Sequence, residues 1–411
     1  MGRYDMDEDT LIKMIRQRVG IGAGDISQGR GRGQNPALGG IDRIYTILEA
    51  LRRRLAVALG RSGLGADVFS LPTAYENNPV MDYTPDRSYY PTLLYFSGGF
   101  TPPGGFGTFK YICISQNYSG SSGLDLRGSN DCKNWTRATA AGLVGLTNPA
   151  HPFVVATPGE AAAYRIYYWD TANLYTVAAM RTATSDDLVN WSNDAPLANG
   201  AYLPIVTGVS PDWNRGSYGP STVLFNPAAT NPAPGPGVNP FDYSYVLYFD
   251  ATTGGVQDIG LGYSADGVTF DLYGQVFTFS ANCWDATHVS SARVFQIPDG
   301  RWLMIYSGGD GASNHGIGMA VSADGLDWKR LSHDPMLARW PLHWRAERCY
   351  AAAVLTDFDN NFDNNGDSAD IKMLVSGRQT IAGTAHYAMG YFHWPTLFTR
   401  DANKALIPQL V

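Results

Sequence analysis

The chain has 411 residues and a formal net charge of −7, with 30 basic against 37 acidic side chains. This balance excludes the basic surface on which nucleic-acid binding depends. No apolar run reaches the roughly 18 residues that a membrane-spanning helix needs. The abundance of tyrosine and glycine, 24 and 46 residues respectively, favours short strands joined by tight turns.

Residues 1–65 are rich in glycine and arginine and are predicted to be helical. Within Ile41–Leu59 the apolar residues recur at alternating steps of three and four, which is typical of a coiled coil. We therefore expect an N-terminal α-helical stalk that associates with itself, as a trimer. The alternative is one amphipathic helix lying on the rest of the chain. The residues predicted to mediate oligomerisation are Ile41, Ile44, Leu48, Leu51 and Leu55.

Residues 66–395 carry a repeated string in which serine, aspartate and an aromatic residue keep a fixed spacing. The aspartate is suited to accept main-chain N–H groups of a turn, and the aromatic residue to pack between neighbouring sheets. A repeat of roughly 55–80 residues with several strands in each unit is typical of a β-propeller. The four copies are Ser129-Asp131-Trp135, Ser185-Asp187-Trp191, Ser264-Asp266-Phe270 and Ser322-Asp324-Trp328.

A fifth unit lacks this string but keeps three strand-like segments, Tyr350–Leu355, Ile371–Ser376 and His386–Phe392. Its outer strand must come from elsewhere in the chain, either near Val68–Leu71 or from the tail of residues 396–411. The fold class predicted from the sequence is therefore mainly β, a five-bladed β-propeller with an N-terminal α-helical stalk.

Two insertions interrupt the repeat, Asn226–Pro240 in the third blade and Asp357–Asp370 in the fifth. The second resembles the first half of a calcium-binding loop, which makes Ca²⁺ the candidate cofactor. Lys372 stands where the closing glutamate of such a loop would be, so a solvated acidic loop is the alternative. The candidate metal ligands are Asn361, Asp363, Asn365 and Asp367.

Four cysteines are too few for a disulfide scaffold. Cys113 and Cys132 fall in the same predicted blade, where a disulfide is conceivable. We expect free buried thiols instead.

The organisation of residues 66–395 resembles the five-bladed propellers of glycoside hydrolases in the arabinanase/xylosidase and invertase-like groups. The resemblance implies an active site in an axial funnel, where the innermost strands begin. It also implies three carboxylates, contributed by the first three blades. Glycosidic cleavage uses two carboxyl groups placed across the bond, one protonated and one ionised.

The positions that match this pattern are mostly not acidic. Asp82 or Asp86 could supply the first carboxylate, but His151 stands where the second blade should carry an aspartate. Tyr218, in Tyr-Gly-Pro, replaces the glutamate of the third, and a tyrosine with a pKa near 10 is a poor general acid at neutral pH. An unorthodox catalytic set remains as a candidate, with pairing to Arg87 or Arg348 as the structural alternative. Its members are Asp86, Asp285 and Glu347.

We therefore expect the propeller to bind a glycan without cleaving it. The candidate binding residues are Tyr89, His151, Tyr218, His288 and Arg348. The alternatives are an active glycoside hydrolase or phosphorylase and a purely structural decoration protein. Paired carboxylates in the funnel would favour an enzyme.

The first residues lack the charged-then-apolar order of a secretory signal, so export by the general secretory route is not expected. A sugar-binding propeller on an oligomeric anchor without such a signal fits a virus particle, because particles leave the cell by lysis. The sequence thus predicts a virion protein, such as a phage tail fibre, spike or capsid appendage. Residues 1–40 would contact other virion proteins, and the propeller would bind a glycan of the host surface.

Overall fold

The structure is a computed structural model whose described residues all belong to one compact unit, Pro36–Val411. They are residues 72–81, 88–117, 123–139, 142–173, 176–253, 255–281, 283–297, 300–311, 315–339, 344–356, 371–394, 398–400 and 406–408.

The first three blades are antiparallel sheets of four strands each, in chain order from the centre outwards. A short strand, β1 (Thr73–Ala74), precedes them. Blade one contains β2 (Ser88–Phe100), β3 (Phe109–Asn117), β4 (Gly123–Ser129) and β5 (Thr136–Arg137). Blade two contains β6 (Pro149–Ala156), β7 (Tyr164–Asp170), β8 (Met180–Ser185) and β9 (Ser192–Pro196). Blade three follows the short β10 (Ala198–Asn199) and contains β11 (Gly216–Phe225), β12 (Tyr245–Thr253), β13 (Val256–Ser264) and β14 (Thr269–Phe277).

The last two blades keep three long strands each and complete their outer edges differently. Blade four contains β15 (His288–Gln296), β16 (Trp302–Gly309) and β17 (His315–Ser322), with β18 (Lys329–Arg330) and β19 (Leu337–Ala338) both paired to β17. Blade five contains β20 (Arg348–Thr356), β21 (Ile371–Ile381) and β22 (Thr384–Trp394). A separate hairpin joins β23 (Phe398–Arg400) to β24 (Leu406–Pro408).

The innermost strands β2, β6, β11, β15 and β20 contact one another in this cyclic order, with β20 returning to β2. The N-terminal β1 pairs antiparallel with β22, so a segment from the start of the propeller supplies the fourth strand of its last blade. The prediction of a five-bladed propeller is thereby confirmed. Of the two predicted sources for the closing strand, the N-terminal one is correct, a few residues beyond Val68–Leu71.

The helical part of the predicted fold class needs correction. Within the described ranges the chain forms strands and two short 3-10 turns, Val177–Ala179 and Pro240–Asp242, and no α-helix. The described residues are therefore mainly β and include no helical stalk. The residues on which the stalk prediction rested, 1–65, lie outside the described residues. None of the described segments is a helix that is long and apolar enough to cross a membrane.

The repeated string forms the same turn in all four blades, as predicted. In blade four the main-chain N–H groups of Leu326 and Asp327 donate to Asp324 Oδ1 over 2.9 and 3.0 Å, and Gly325 N donates to Ser322 Oγ over 2.9 Å. Hydrogen bonds from Asp327, Leu326 and Ser322 lower the pKa of Asp324, so the turn favours an ionised aspartate. The residue after each aspartate has a positive φ, at Cys132, Leu188, Gly267 and Gly325.

Apolar side chains fill the space between neighbouring blades. Because strand side chains alternate, Leu303 and Ile305 of β16 pack toward blade five, whereas Met304 and Tyr306 pack toward blade three. Tyrosine hydroxyls add hydrogen bonds between blades. Tyr248 of blade three donates to Gly325 O over 2.8 Å, and Tyr167 of blade two donates to Gly267 O over 3.0 Å.

All four cysteines are free, which confirms the prediction of unpaired thiols. Cys113 and Cys132 are buried together between blades one and five. Burial raises the pKa of Cys113 to about 12. The first predicted insertion lies between β11 and β12, as expected. The second falls between β20 and β21, but residues 357–370 lie outside the described residues.

Candidate functional site

The beginning of every innermost strand carries a β-bulge with a residue in a left-handed conformation. Each breaks the pairing register with the second strand of its blade. Such bulges bend a strand and redirect its side chains, and they are common beside functional sites. The five residues are Tyr90 (φ 51°), His151 (φ 47°), Gly219 (φ 130°), Ser291 (φ 51°) and Ala351 (φ 45°).

A hydrogen bond between blades holds four of these bulges. In each case the main-chain N–H of the bulged residue donates to a polar side chain at one position of the preceding blade's second strand. The bonds join Tyr90 N to Ser376 Oγ (3.0 Å), His151 N to Gln116 Oε1 (3.4 Å), Ser291 N to Asp250 Oδ1 (2.8 Å) and Ala351 N to Ser307 Oγ (2.7 Å). The mouth of the propeller is therefore fixed by a repeated polar contact.

The bulge of blade three differs in two ways. By register, Pro220 occupies the position of the four donating residues and has no N–H, and Trp169 occupies the acceptor position in blade two. Gly219 N instead donates to Ser217 Oγ of its own strand over 3.0 Å. A Cβ added at Gly219 would lie 3.1 Å from the Cβ of Trp169, and a φ of +130° is unfavourable for any L side chain. Glycine is thus required here, and it makes room for the indole at the mouth.

One side of the mouth is lined by half-buried rings, which we call the aromatic sector: Tyr90, His151, Trp169 and Tyr218. The ring centroids of Tyr90 and His151 are 3.5 Å apart, and the two ring planes stack at an angle of 23°. Trp169 continues the row, 5.1 Å from His151 and 5.9 Å from Tyr218. Side chains from blades one, two and three thus form one continuous aromatic surface.

The aromatic sector is uncharged at neutral pH. Burial and the charge of Arg293 lower the pKa of His151 to about 3, against a hydrogen bond with the Tyr218 main chain that raises it. Burial raises the pKa of Tyr90, so its hydroxyl stays protonated. The surface therefore offers ring faces and neutral hydrogen-bonding groups.

Arg293, from the innermost strand of blade four, lies across the axis beneath this sector and is buried. One guanidinium nitrogen donates to Ser221 O of blade three, and the other donates to Pro91 O of blade one over 3.3 Å. The guanidinium carbon also lies 5.3 Å from the ring centroid of Phe153 in blade two. A single side chain therefore connects four blades at the axis.

Asp250 is a buried acid whose charge acts on this arginine. It accepts hydrogen bonds from Ser221 Oγ at 2.5 Å and from Ser291 N at 2.8 Å. Burial raises the pKa of Asp250 to about 6, although these hydrogen bonds and the charge of Arg293 lower it. Burial likewise lowers the pKa of Arg293 to about 10. Asp250 and Arg293 both form hydrogen bonds that join one blade to another.

The other side of the mouth is polar, and we call it the basic sector: His288, His315 and Arg348, from blades four and five. His288 Nε2 and His315 Nδ1 are 3.2 Å apart. His315 and Arg348 are partners in a parallel bridge between the two blades. Burial, together with His288 and Arg348, lowers the pKa of His315 to about 3, and burial and Arg348 also lower that of His288. Both histidines are neutral at pH 7.

The predicted catalytic carboxylates do not form a described pair. Asp285 is fully buried, and its Oδ2 accepts from Arg330 Nε at 2.8 Å and from Tyr306 OH at 3.1 Å. Glu347 Oε2 lies 3.3 Å from Nε of Arg378. Its described ion pair is therefore with Arg378 and not with Arg348, one of the two predicted partners. Asp86 and the candidate calcium ligands Asn361, Asp363, Asn365 and Asp367 lie outside the described residues. Among the described ones, no group of three or more potential ligands is placed to hold a metal ion.

The predicted glycan-binding residues all lie at the mouth. His151 and Tyr218 belong to the aromatic sector, and His288 and Arg348 to the basic sector. Tyr89 is buried and stacks on Tyr387, with ring centroids 4.5 Å apart, so the neighbouring Tyr90 is the ring that reaches His151.

Sequence reasoning missed Tyr90, Trp169 and His315. Trp169 stands at the same position of its blade as Gln116, Asp250, Ser307 and Ser376. An alignment of the second strands would have revealed it as the exception.

The closed ring of five blades with a lined axial mouth defines the class as a β-propeller with a central site. No protein-family model matches the chain, and neither does any curated protein sequence.

The chain shares its fold with many solved structures, among them the following two. One is an N-acetylgalactosamine deacetylase from F. plautii in complex with blood group B trisaccharide, 14% identical, covering 78% of this chain and 92% of that one with a TM-score of 0.50. The other is a thermostable family-43 glycoside hydrolase, 14% identical, covering 81% and 95% with a TM-score of 0.51. The chain therefore has a glycosidase-like propeller fold, as its sequence predicted.

Proposed function

We propose that the chain binds a glycan at the axial mouth and does not hydrolyse it. The observation that carries this proposal is the aromatic sector, a continuous half-buried surface of Tyr90, His151, Trp169 and Tyr218. Flat rings pack against the apolar faces of sugars, while neutral polar groups at their edges fix the orientation of the hydroxyls. One protein that shares the fold holds a trisaccharide.

The acids present argue for binding rather than cleavage. Hydrolysis of a glycosidic bond needs a protonated and an ionised carboxyl group on opposite sides of that bond. The corresponding described positions of blades two and three hold His151 and Tyr218. Asp285 is matched to Arg330, and Glu347 to Arg378, so each already has a cation as its partner.

The experiment is a glycan array probed with the full chain, followed by mass spectrometry of every bound glycan after prolonged incubation. We expect binding with the glycan recovered intact. Recovery of shortened products would overturn the non-hydrolytic part of the proposal, and Asp86→Asn would then test whether blade one supplies the missing acid. Absence of binding to any glycan would overturn the proposal as a whole.

Attachment to a virus particle and recognition of a host surface stay predictions from the sequence. They could be tested by mass spectrometry of purified particles, in which the chain should be present at a fixed ratio to the capsid protein.

A further inference from the structure

Two acids near the mouth, Asp285 and Glu347, are already paired with arginines, whereas no acid is described as a partner of Arg348. Glu347 Oε2 is 3.3 Å from Arg378 Nε, and Asp285 Oδ2 is 2.8 Å from Arg330 Nε. These two ion pairs neutralise Arg330 of blade four and Arg378 of blade five, and Arg378 is the register partner of Arg348. In the described part of the chain, the Arg348 guanidinium itself makes no hydrogen bond or ion pair.

Arg348 is the member of the basic sector whose charge also acts on the aromatic sector. It is half-buried at the first residue of β20, and its charge shifts the pKa of Tyr90 on one side and of His288 and His315 on the other. The guanidinium is thus close to both the aromatic surface and the histidine pair. A cation in this place, without a described partner, is suited to bind an anion that arrives with the ligand.

The histidine pair supplies hydrogen bonds and no charge. One ring donates to the other across the 3.2 Å contact, because both are neutral at pH 7. Of the charged groups that act on His315, Arg348 and Arg339 lower its pKa, whereas the exposed Asp310 raises it. Their sum is positive, which favours a negatively charged group next to the histidine pair.

We propose that the bound glycan carries an acidic group, a carboxylate or a sulfate, and that Arg348 binds this group while the sugar ring lies on the aromatic sector. The proposal rests on the glycan binding proposed above and names the class of sugar. Guanidinium pairs with carboxylate and sulfate oxygens through two parallel N–H bonds, a geometry that lysine cannot reproduce.

The test is calorimetric titration of the full chain with matched sugars. The pairs are 3′-sialyllactose with lactose, galacturonic acid trimer with galactose trimer, and 6-sulfogalactose with galactose. We expect the acidic member of at least one pair to bind about tenfold more tightly than its neutral partner, which is about 1.4 kcal/mol. Its affinity should fall as the salt concentration rises. The first two pairs report on carboxylates and the third on sulfate.

Three variants assign the effect to the guanidinium. Arg348→Gln should remove the preference, so that the acidic sugar binds no more tightly than its neutral partner. Arg348→Lys should retain only part of the preference, because the charge remains but the paired bonds do not. Lys329→Gln, which removes one positive charge from the exposed outer strand β18, is the matched control and should keep the full preference.

Two outcomes separate this inference from the proposed function. Equal binding of acidic and neutral sugars, or a preference that survives in Arg348→Gln, would overturn the acidic-sugar inference and leave glycan binding intact. Failure of every sugar to bind would overturn both. A variant that loses its β-sheet circular dichroism is replaced in the comparison by Arg348→Lys.

Discussion

The outer turns and the inner bulges of this propeller repeat in opposite ways. The outer turns share sequence and geometry, from Ser129-Asp131 in blade one to Ser322-Asp324 in blade four. Four of the inner bulges share geometry alone, since tyrosine, histidine, serine and alanine occupy the same left-handed position. A turn held by its own side chains needs the same residues in every blade. A bulge held by the neighbouring blade does not, so its side chains are available for function.

The largest loss of stability should follow substitution of Arg293, which connects four blades at the axis. Arg293→Met would leave Asp250 buried without its cation and would remove the contacts with Pro91, Ser221 and Phe153. We expect a loss of about 3 kcal/mol in the free energy of unfolding, measured by denaturant titration. The double variant with Asp250→Asn should recover part of it. A loss below about 1 kcal/mol would show that the axis is not a structural centre.

Substitution of Gly219, in the bulge of blade three, should cause the next largest loss of stability. Gly219→Ala places a Cβ 3.1 Å from that of Trp169 at a φ of +130°. We expect a loss of about 2 kcal/mol in unfolding free energy. Gly255→Ala is the control, because its φ of +91° is also positive but nothing lies within 4 Å of the added Cβ. Equal losses would mean that backbone strain alone, and not the indole, requires glycine at position 219.

The neutral histidine of the aromatic sector should make stability depend on pH. His151 has a folded-state pKa of about 3, so between that value and 6.5 the unfolded chain binds a proton that the folded chain does not. Stability should therefore fall as the pH is lowered from 7 to 5. His151→Gln should reduce this fall by about 1–2 kcal/mol in denaturant titrations at the two pH values. The exposed His333, changed to glutamine, should leave it unaltered.

The smallest loss of stability should follow a substitution in one outer turn. Asp324→Ala removes the acceptor of the Leu326 and Asp327 N–H bonds, and we expect a loss of about 1 kcal/mol in unfolding free energy. Asp327→Ala keeps its main-chain N–H and serves as the control, with a change within about 0.5 kcal/mol. An Asp324→Ala loss as large as that of Arg293→Met would reverse the contrast between outer turns and inner bulges.

This contrast explains which parts of the fold could be predicted from the sequence. The Ser-x-Asp turns and the strand count could be predicted because local chemistry repeats in them, and they located the blades. The source of the closing strand stayed open between the N-terminal segment and the C-terminal tail. The bulges at Tyr90, His151 and Ala351 were not readable, because their conformation depends on acceptors some 35 to 286 residues away along the chain. Sequence reasoning placed His151, Tyr218 and Arg348 at the mouth only through the resemblance to a known architecture. It could not foresee that Arg378 would neutralise Glu347 and leave Arg348 unmatched.

The most direct test of the account is the affinity of the full chain for its best array glycan when one ring of the aromatic sector is removed. Tyr218→Ala and the control Tyr273→Ala, which alters a tyrosine 40% exposed on outer strand β14, would be compared with the unaltered chain by calorimetry. We predict that Tyr218→Ala weakens binding about tenfold and that Tyr273→Ala leaves it unchanged. Unchanged affinity in Tyr218→Ala would contradict the claim that the axial mouth is the glycan-binding site.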